Sequence, residues 1–174
     1  MSAGGWATCA IRLDGSLWCW GGNDQGQLGL GDTRPRSTPT RVGIESNWSH
    51  LALGQSHACA IQRDGSLWCW GGNEEGQLGL GDTRPRSTPT RVGTESSWTH
   101  VALGHAHTCA IRRDGSLWCW GSNARALLGT NDWTALRGSP ASGRRVWDEA
   151  RKIVATRRTF DVALARARLR GSPG

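Results

Sequence analysis

The sequence predicts an all-β chain in which a small antiparallel sheet repeats along most of the length. Three observations predict it: a 50-residue repeat, a hairpin signal in each copy, and apolar residues on both faces of that hairpin. The unit that begins at Cys9 recurs at Cys59 and Cys109 without insertion. Residues 9–58 and 59–108 are identical at 39 of 50 positions. The third copy fades after Gly121, so the 174-residue chain carries about two and a half copies.

Each copy contains a β-hairpin signal, which in the first copy is Asp14-Gly15 between two apolar runs. A three-residue loop places Gly15 in the left-handed conformation, which a residue without Cβ adopts at little cost. Cys9 then faces Cys19 at a non-hydrogen-bonded pair, where the Cα atoms are close enough for a disulfide. In an oxidising compartment the predicted disulfides are Cys9–Cys19, Cys59–Cys69 and Cys109–Cys119.

Both faces of the hairpin are apolar, with Ile11 and Leu17 on one face and Trp18 and Trp20 on the other. A sheet with one face in solvent would alternate apolar and polar residues, so each sheet is expected to be covered on both faces. Further strands are predicted at Ser49–Leu53 and Thr99–Leu103, and short fourth strands at Thr40–Val42 and Thr90–Val92 after a proline. Such sheets, stacked face to face, predict an incomplete β-propeller of about 2.5 four-stranded blades. The blade units are about 1–48, 49–98 and 99–134.

The second copy carries a long and specific motif. Its residues are Gly54, His57, Cys59-Ala60-Ile61, Asp64-Gly65, Leu67, Cys69-Trp70-Gly71, Asn73, Gly76-Gln77-Leu78-Gly79, Gly81-Asp82-Thr83, Arg86-Ser87-Thr88-Pro89 and Val92. This motif resembles the repeat of the regulator of chromosome condensation family over about residues 3–132. The cysteine pairs resemble the bacterial branch of that family. The resemblance implies a seven-bladed propeller, of which two and a half blades cannot close the ring.

The resemblance does not choose among functions, because members of the family act in nucleotide exchange on small GTPases, in UV-B sensing or as secreted inhibitors. The sequence favours a non-catalytic protein-binding scaffold, a fragment of a longer repeat protein, with an unidentified protein partner. Guanine-nucleotide exchange on a small GTPase is the alternative. The candidate partner-binding loops carry Arg34, Arg36, Arg84 and Arg86. Asp32 and Asp82 beside them indicate local pairing instead.

Other residues that could carry chemistry are better explained by structure. His57 and His107 precede a cysteine strand where the first copy has Ala7, which favours a hydrogen-bonded structural histidine over a catalytic or metal-binding one. The C-x9-C spacing fits neither zinc nor dithiol redox motifs. Packing between blades explains the paired tryptophans better than a light-absorbing cluster or a stacking platform does. The sequence therefore predicts no enzyme and no catalytic, cofactor-binding or metal residue.

The net charge of +7 falls entirely on residues 135–174, because residues 1–134 contain as many acidic residues as arginines. This Arg-rich tail is expected to be helical over about 144–169 or disordered. Its composition also fits the product of a frameshift, in which case residues 135–174 are not native in-frame sequence. Nucleic-acid or anionic-surface binding through the tail is a further alternative.

Open blade edges predict self-association, and no apolar run is long enough to span a membrane. Paired cysteines favour an extracytoplasmic or secreted location, whereas free thiols and the absence of a signal at Met1 indicate the cytoplasm.

Overall fold

The computed structural model describes residues 1–129, which fold into three antiparallel sheets, one for each copy of the repeat. Blade 1 consists of β1 (Ser2–Ala3), β2 (Ala7–Ile11), β3 (Leu17–Gly21) and β4 (Arg36–Val42). Blade 2 consists of β5 (Trp48–Leu53), β6 (His57–Gln62), β7 (Leu67–Gly71) and β8 (Arg86–Arg91). Blade 3 consists of β9 (Trp98–Leu103), β10 (His107–Arg112) and β11 (Leu117–Gly121). The all-β prediction is confirmed for this part of the chain, and the predicted helix of the tail lies outside it.

The central hairpin of each blade has the predicted register. Cys9 lies opposite Cys19 and Ile11 lies opposite Leu17. Gly15 has a φ of +82°, as the three-residue loop requires. The same pairs and the same positive φ recur in blades 2 and 3. The turn chemistry in the sequence therefore sets the register of all three hairpins.

The outer strands are longer than predicted. They begin at Arg36 and Arg86 rather than at position 40 or 90, because a bulge lets Arg36 pair with Gly21. Pro39 consequently lies inside β4, which is the last strand of its sheet. A proline is tolerated there because no neighbouring strand needs its missing N–H.

The hydrophobic core lies between the sheets rather than inside any one of them. One cluster joins blade 1 residues such as Leu17 and Leu28 to Trp48 and Trp70 of blade 2. A second cluster joins blade 2 to blade 3 in the same way. Every residue of β6 is buried, as expected for a sheet that is covered on both faces. Within residues 1–129 there is no helix long and apolar enough to cross a membrane.

Candidate partner-binding surface

Two long loops of nearly identical conformation, residues 22–35 and 72–85, connect the third strand of blades 1 and 2 to the outer strand. A buried asparagine holds each loop together. Asn23 Nδ2 donates to the carbonyl oxygens of Asp32 at 2.9 Å and Arg34 at 3.0 Å. Its Oδ1 accepts a hydrogen bond from Leu28 N at 2.9 Å. Asn73 makes the equivalent contacts in the second loop, so each loop is fixed from within by one amide.

An ion pair closes the base of each loop. Arg36 Nη2 lies 2.7 Å from Asp32 Oδ2, and Arg36 Nη1 donates to the carbonyl oxygen of Arg34 at 2.7 Å. The hydrogen bond from the Arg36 side chain, followed by that from Arg34 N, holds the pKa of Asp32 below its usual value. Arg86 and Asp82 form the same pair at the same distance. These two arginines hold the loop closed, as the neighbouring aspartates indicated.

Arg34 and Arg84 differ from this pair. Both are exposed, and neither forms an ion pair with any residue in the described range 1–129. The structure thus divides the four candidate arginines into two that close the loops and two that face solvent. Sequence spacing alone could not separate them, because each follows its aspartate by two or four residues and the start of the outer strand at Arg36 or Arg86 was not predicted.

The two loops lie side by side at the junction of the blades. Gly31 N donates to the carbonyl oxygen of Ser87 at 2.9 Å. A shallow cleft of about 240 Å³ runs between them, lined by Gln25 and Thr33 of the first loop and by Pro85 and Ser87 near the second. The loops of blades 1 and 2 therefore form one surface, which we call the paired-loop surface (residues 22–35 and 72–87).

Beneath these loops, a hydrogen bond from a tryptophan indole joins each blade to the preceding one. Trp70 Nε1 of blade 2 donates to the carbonyl oxygen of Gln27 of blade 1 at 2.9 Å, and Trp120 repeats the contact with Gln77. Both indoles are fully buried. A Cβ on Gly29 would come within 2.9 Å of the Trp70 ring, so the glycine makes room for the indole. These contacts agree with the packing interpretation of the paired tryptophans.

A buried histidine adds a second bond between blades 2 and 3. His57 Nε2 lies 3.0 Å from Thr108 Oγ1, and that hydroxyl donates to the carbonyl oxygen of Gln77 at 2.8 Å. Since the hydroxyl hydrogen is donated to the carbonyl oxygen, the hydroxyl oxygen accepts a hydrogen bond from His57 Nε2–H. This contact fixes the tautomer of the neutral ring. Burial lowers the pKa of His57 to about 3. His57 is therefore a structural histidine, while the role of Thr108 was missed because its partner is distant in sequence.

Each of the three predicted cysteine pairs is joined in the structure, with Cα atoms 4.1 Å apart. The disulfides lie within the hairpins and beneath the surface, since Cys9, Cys19, Cys59 and Cys69 are fully buried. Mapping of disulfide-linked peptides without reductant tests this pairing. Among residues 1–129, no cluster of three or more histidine, cysteine, aspartate or glutamate side chains could hold a metal ion.

Family comparison agrees with this repeated architecture. The model of the regulator of chromosome condensation (RCC1) repeat matches residues 14–61 and 64–111, and a second RCC1-repeat model matches residues 48–77 and 98–125. The chain belongs to the RCC1 repeat family. The two first matches together cover more than half of the 174 residues.

Two solved structures have the same fold. Prp20p from Saccharomyces cerevisiae superposes with a TM-score of 0.73 at 22% identity, covering 83% of this chain and 37% of that one. Human WBSCR16 gives a TM-score of 0.70 at 22% identity, covering 79% and 35%. The chain thus spans about a third of the structures that it matches.

A curated relative shares a short segment with this chain. The Ras guanine nucleotide exchange factor C of Dictyostelium discoideum is 57% identical over 35 residues, which are 20% of this chain and 2% of that protein.

Proposed function

We propose that the chain is a non-catalytic protein-binding propeller scaffold that contacts its partner through the paired-loop surface. RCC1-repeat domains are generally scaffolds or nucleotide exchange domains rather than enzymes, which supports this assignment. The observation that carries it is the contrast within the loops. Arg36 and Arg86 hold the loops closed, and Arg34 and Arg84 face solvent without an ion pair in the described part of the chain.

The two exposed arginines of this surface suit carboxylates on a protein partner, and the exposed Asp24 and Glu74 of the same loops suit basic groups on it. The loops are fixed by Asn23 and Asn73 before binding, so little conformational entropy is lost when a partner docks. Two equivalent guanidinium groups, one on each blade, can contact two carboxylates at once. Nucleic acid is a poorer fit, because residues 1–134 carry no net charge.

The test compares two double charge reversals in the full chain. Cross-linking and affinity capture first identify a partner from the source cells, and calorimetry with the purified partner then measures affinity. Arg34→Glu/Arg84→Glu should weaken binding at least about tenfold, since each lost charge pair contributes to the contact. Arg63→Glu/Arg113→Glu makes the same charge change on exposed hairpin turns and should have little effect. Equal losses in both variants, or no stoichiometric partner, would contradict the proposal.

Nucleotide exchange on a small GTPase is the second candidate. The segment shared with the Dictyostelium Ras exchange factor favours it, although that segment is a small part of the other protein. Yeast Prp20p, which has the same fold, binds Gsp1p and histones. The assay is release of a fluorescent guanine nucleotide from purified Ras-like GTPases and from Gsp1p. Acceleration that depends on the concentration of the chain would support exchange, and its absence at high micromolar concentration would exclude it for those GTPases.

Binding to nucleic acid or an anionic surface through residues 135–174 is a separate proposal about a segment outside the described residues. Its support is compositional, because this segment carries the whole net charge of +7. Binding of this kind should weaken steeply as salt rises and should disappear when residues 135–174 are deleted. Equal binding by the shortened chain would refute it.

Self-association through blade faces is proposed for the same molecule. Trp70 and Trp120 are fully buried against the preceding blade, whereas Trp20 is only partly buried. Light scattering on a size-exclusion column under non-reducing conditions measures the solution mass. A discrete dimer or trimer that Trp20→Ala dissociates would support association through this face, and a monomer would exclude it.

A further inference from the structure

A cleft of about 340 Å³ opens between blades 1 and 2, bordered by Gly29 and Leu30 of the first long loop. Six of the residues that line it are Leu30, Glu45, Trp48, Gln62, Trp68 and Pro89. Trp48 and Trp68 meet edge to face with ring centroids 6.2 Å apart. The cleft therefore combines aromatic walls with one carboxylate, the combination that binds organic cations.

The other copies of the repeat show what these tryptophans hold. The position of Gln62 is occupied by Arg12 in the first copy and by Arg112 in the third. In blade 3 the guanidinium carbon of Arg112 lies 4.7 Å from the ring centre of Trp98 and 4.3 Å from that of Trp118. These two rings are the counterparts of Trp48 and Trp68. The pair of indoles in blade 3 thus holds a guanidinium from its own chain.

Blade 1 shows the weaker form of the same contact, with the guanidinium carbon of Arg12 5.7 Å from the ring centre of Trp18. Blade 2 differs because Gln62 has no charge. No cationic side chain within residues 1–129 lies over Trp48 or Trp68. Among the three copies, only the second leaves its tryptophan without a guanidinium from the described chain.

The charges around the cleft are compatible with a bound cation. Glu45 is exposed and forms no ion pair with any residue of the described range, although its Oε2 accepts a hydrogen bond from Ile44 N at 3.1 Å. Arg41 also lines the cleft, and its Nη2 donates to the Ile44 carbonyl oxygen and to Ser46 Oγ. Its counterpart Arg91 makes the same contacts in the next repeat, where Arg112 nevertheless occupies the aromatic site.

We propose that the cleft between blades 1 and 2 binds the side-chain guanidinium of an arginine on a partner polypeptide. The guanidinium stacks on the partly exposed ring of Trp68, which the buried Trp48 supports edge to face, and the carboxylate of Glu45 neutralises its charge. This inference rests on the proposed protein-binding function and gives the partner a second feature, an exposed arginine. The site is distinct from Arg34 and Arg84, so the two contacts can fail independently.

The test is a titration of the ¹⁵N-labelled full chain with acetyl-Gly-Arg-Gly-amide, followed through the indole N–H resonances. Saturable shifts at Trp48 and Trp68, with a low-millimolar dissociation constant, are expected for a cation–π contact with one carboxylate. The citrulline peptide has the same shape without the charge, and it should bind at least about tenfold more weakly. Equal shifts with both peptides, or no saturation, would overturn the proposal.

Three variants localise the site. Gln62→Arg introduces a guanidinium from the chain itself at the position that Arg112 has in blade 3. It should therefore abolish peptide binding while the chain stays folded. Gln55→Arg adds the same charge at an exposed position outside the cleft and should leave binding nearly unchanged. Glu45→Gln should weaken binding several-fold. Retained binding in Gln62→Arg, or an equal loss in Gln55→Arg, would overturn the assignment. Arg34→Glu/Arg84→Glu should bind the peptide normally, which separates this site from the two exposed arginines of the paired-loop surface.

Discussion

The two junctions between blades use one common bond and differ in a second. In both junctions a tryptophan indole donates to a glutamine carbonyl at 2.9 Å. At the first junction the neighbouring positions are Ala7 and Ala58, which are both apolar. At the second they are His57 and Thr108, whose polar atoms lie 3.0 Å apart. The hydrogen bond from the tryptophan is therefore common to both junctions, whereas the two neighbouring residues change together from one junction to the next.

This difference shows why the pair must change together. The Thr108 hydroxyl donates a hydrogen bond to the carbonyl oxygen of Gln77, so its oxygen remains the acceptor for His57 Nε2–H. Replacing one member leaves a buried polar group without its partner, which costs about 1–3 kcal/mol. Two alanines avoid that cost, and the first junction has that composition.

The largest expected effect comes from removing the shared bond. Trp120→Ala and Trp70→Ala should each lower the free energy of unfolding by about 3–5 kcal/mol, because a fully buried indole is lost. Trp70→Ala should cost up to about 1 kcal/mol more, since the Gln27 carbonyl loses its side-chain donor while that of Gln77 keeps Thr108. Urea unfolding measures both. Trp20→Ala is the matched control at a partly buried indole, and a loss as large as that of Trp70→Ala would contradict the account.

The next effect tests how the hairpin turns support the junctions. Gly65 and Gly115 have nearly the same φ, +84° and +81°. A Cβ on Gly65 would lie 2.6 Å from the carbonyl oxygen of Ser96, whereas one on Gly115 would meet no atom of residues 1–129 within 4 Å. Gly115→Ala should cost about 1–2 kcal/mol through the left-handed backbone alone. Gly65→Ala should cost about 1–3 kcal/mol more, because the loop that leads to blade 3 must shift. Equal thermal destabilisation of the two variants would show that the turn does not support the junction.

The histidine pair should make the second junction sensitive to acid. The pKa of His57 is lowered to about 3 in the folded chain, against 6.5 when the chain is unfolded. The unfolded chain therefore binds a proton first, and stability is retained above pH 6.5 and lost as the pH falls towards 3. From pH 7 to pH 5 this one group should cost about 2 kcal/mol.

His57→Ala/Thr108→Ala converts the second junction to the composition of the first. The variant should lose less stability than the parent chain on acidification by about that 2 kcal/mol. Urea unfolding at pH 7 and pH 5 gives the comparison, and other titrating groups such as His107 are present in both proteins. Identical pH dependence in the two proteins would contradict the buried neutral histidine.

The hairpins were predictable because their determinants are local. Asp14-Gly15 and the spacing of Cys9 and Cys19 set the register before any tertiary contact is known. The start of the outer strand was not predictable, because the pairing of Arg36 with Gly21 depends on a bulge that no residue pattern announces. Local chemistry therefore gives the sheets, and pairing across a long loop does not follow from it.

The contacts between blades required the structure. His57 and Thr108 are 51 residues apart, and neither belongs to a motif for the other. The repeat did contain a signal, since Ala7 and Ala58 replace the two together at the preceding junction. The aromatic cleft was not predictable for the same reason. The replacement of arginine by Gln62 becomes informative only once Arg112 is found to lie over two indole rings.

The smallest expected effect tests the place where the third repeat departs from the other two. Ala126 has a φ of +53°, whereas the equivalent Gly26 and Gly76 have values of +77° and +76°. Ala126→Gly should raise the free energy of unfolding by about 0.5–1 kcal/mol, because relief of the left-handed backbone exceeds the entropy that glycine adds to the unfolded chain. Gly26→Ala should have the opposite sign and a larger size, since its Cβ would also come within 2.8 Å of Ser87 Cα in blade 2. Calorimetric melting of both variants measures the two shifts. Stabilisation by Gly26→Ala would mean that the turn conformation, and with it the contact between the paired loops, is not required at this junction.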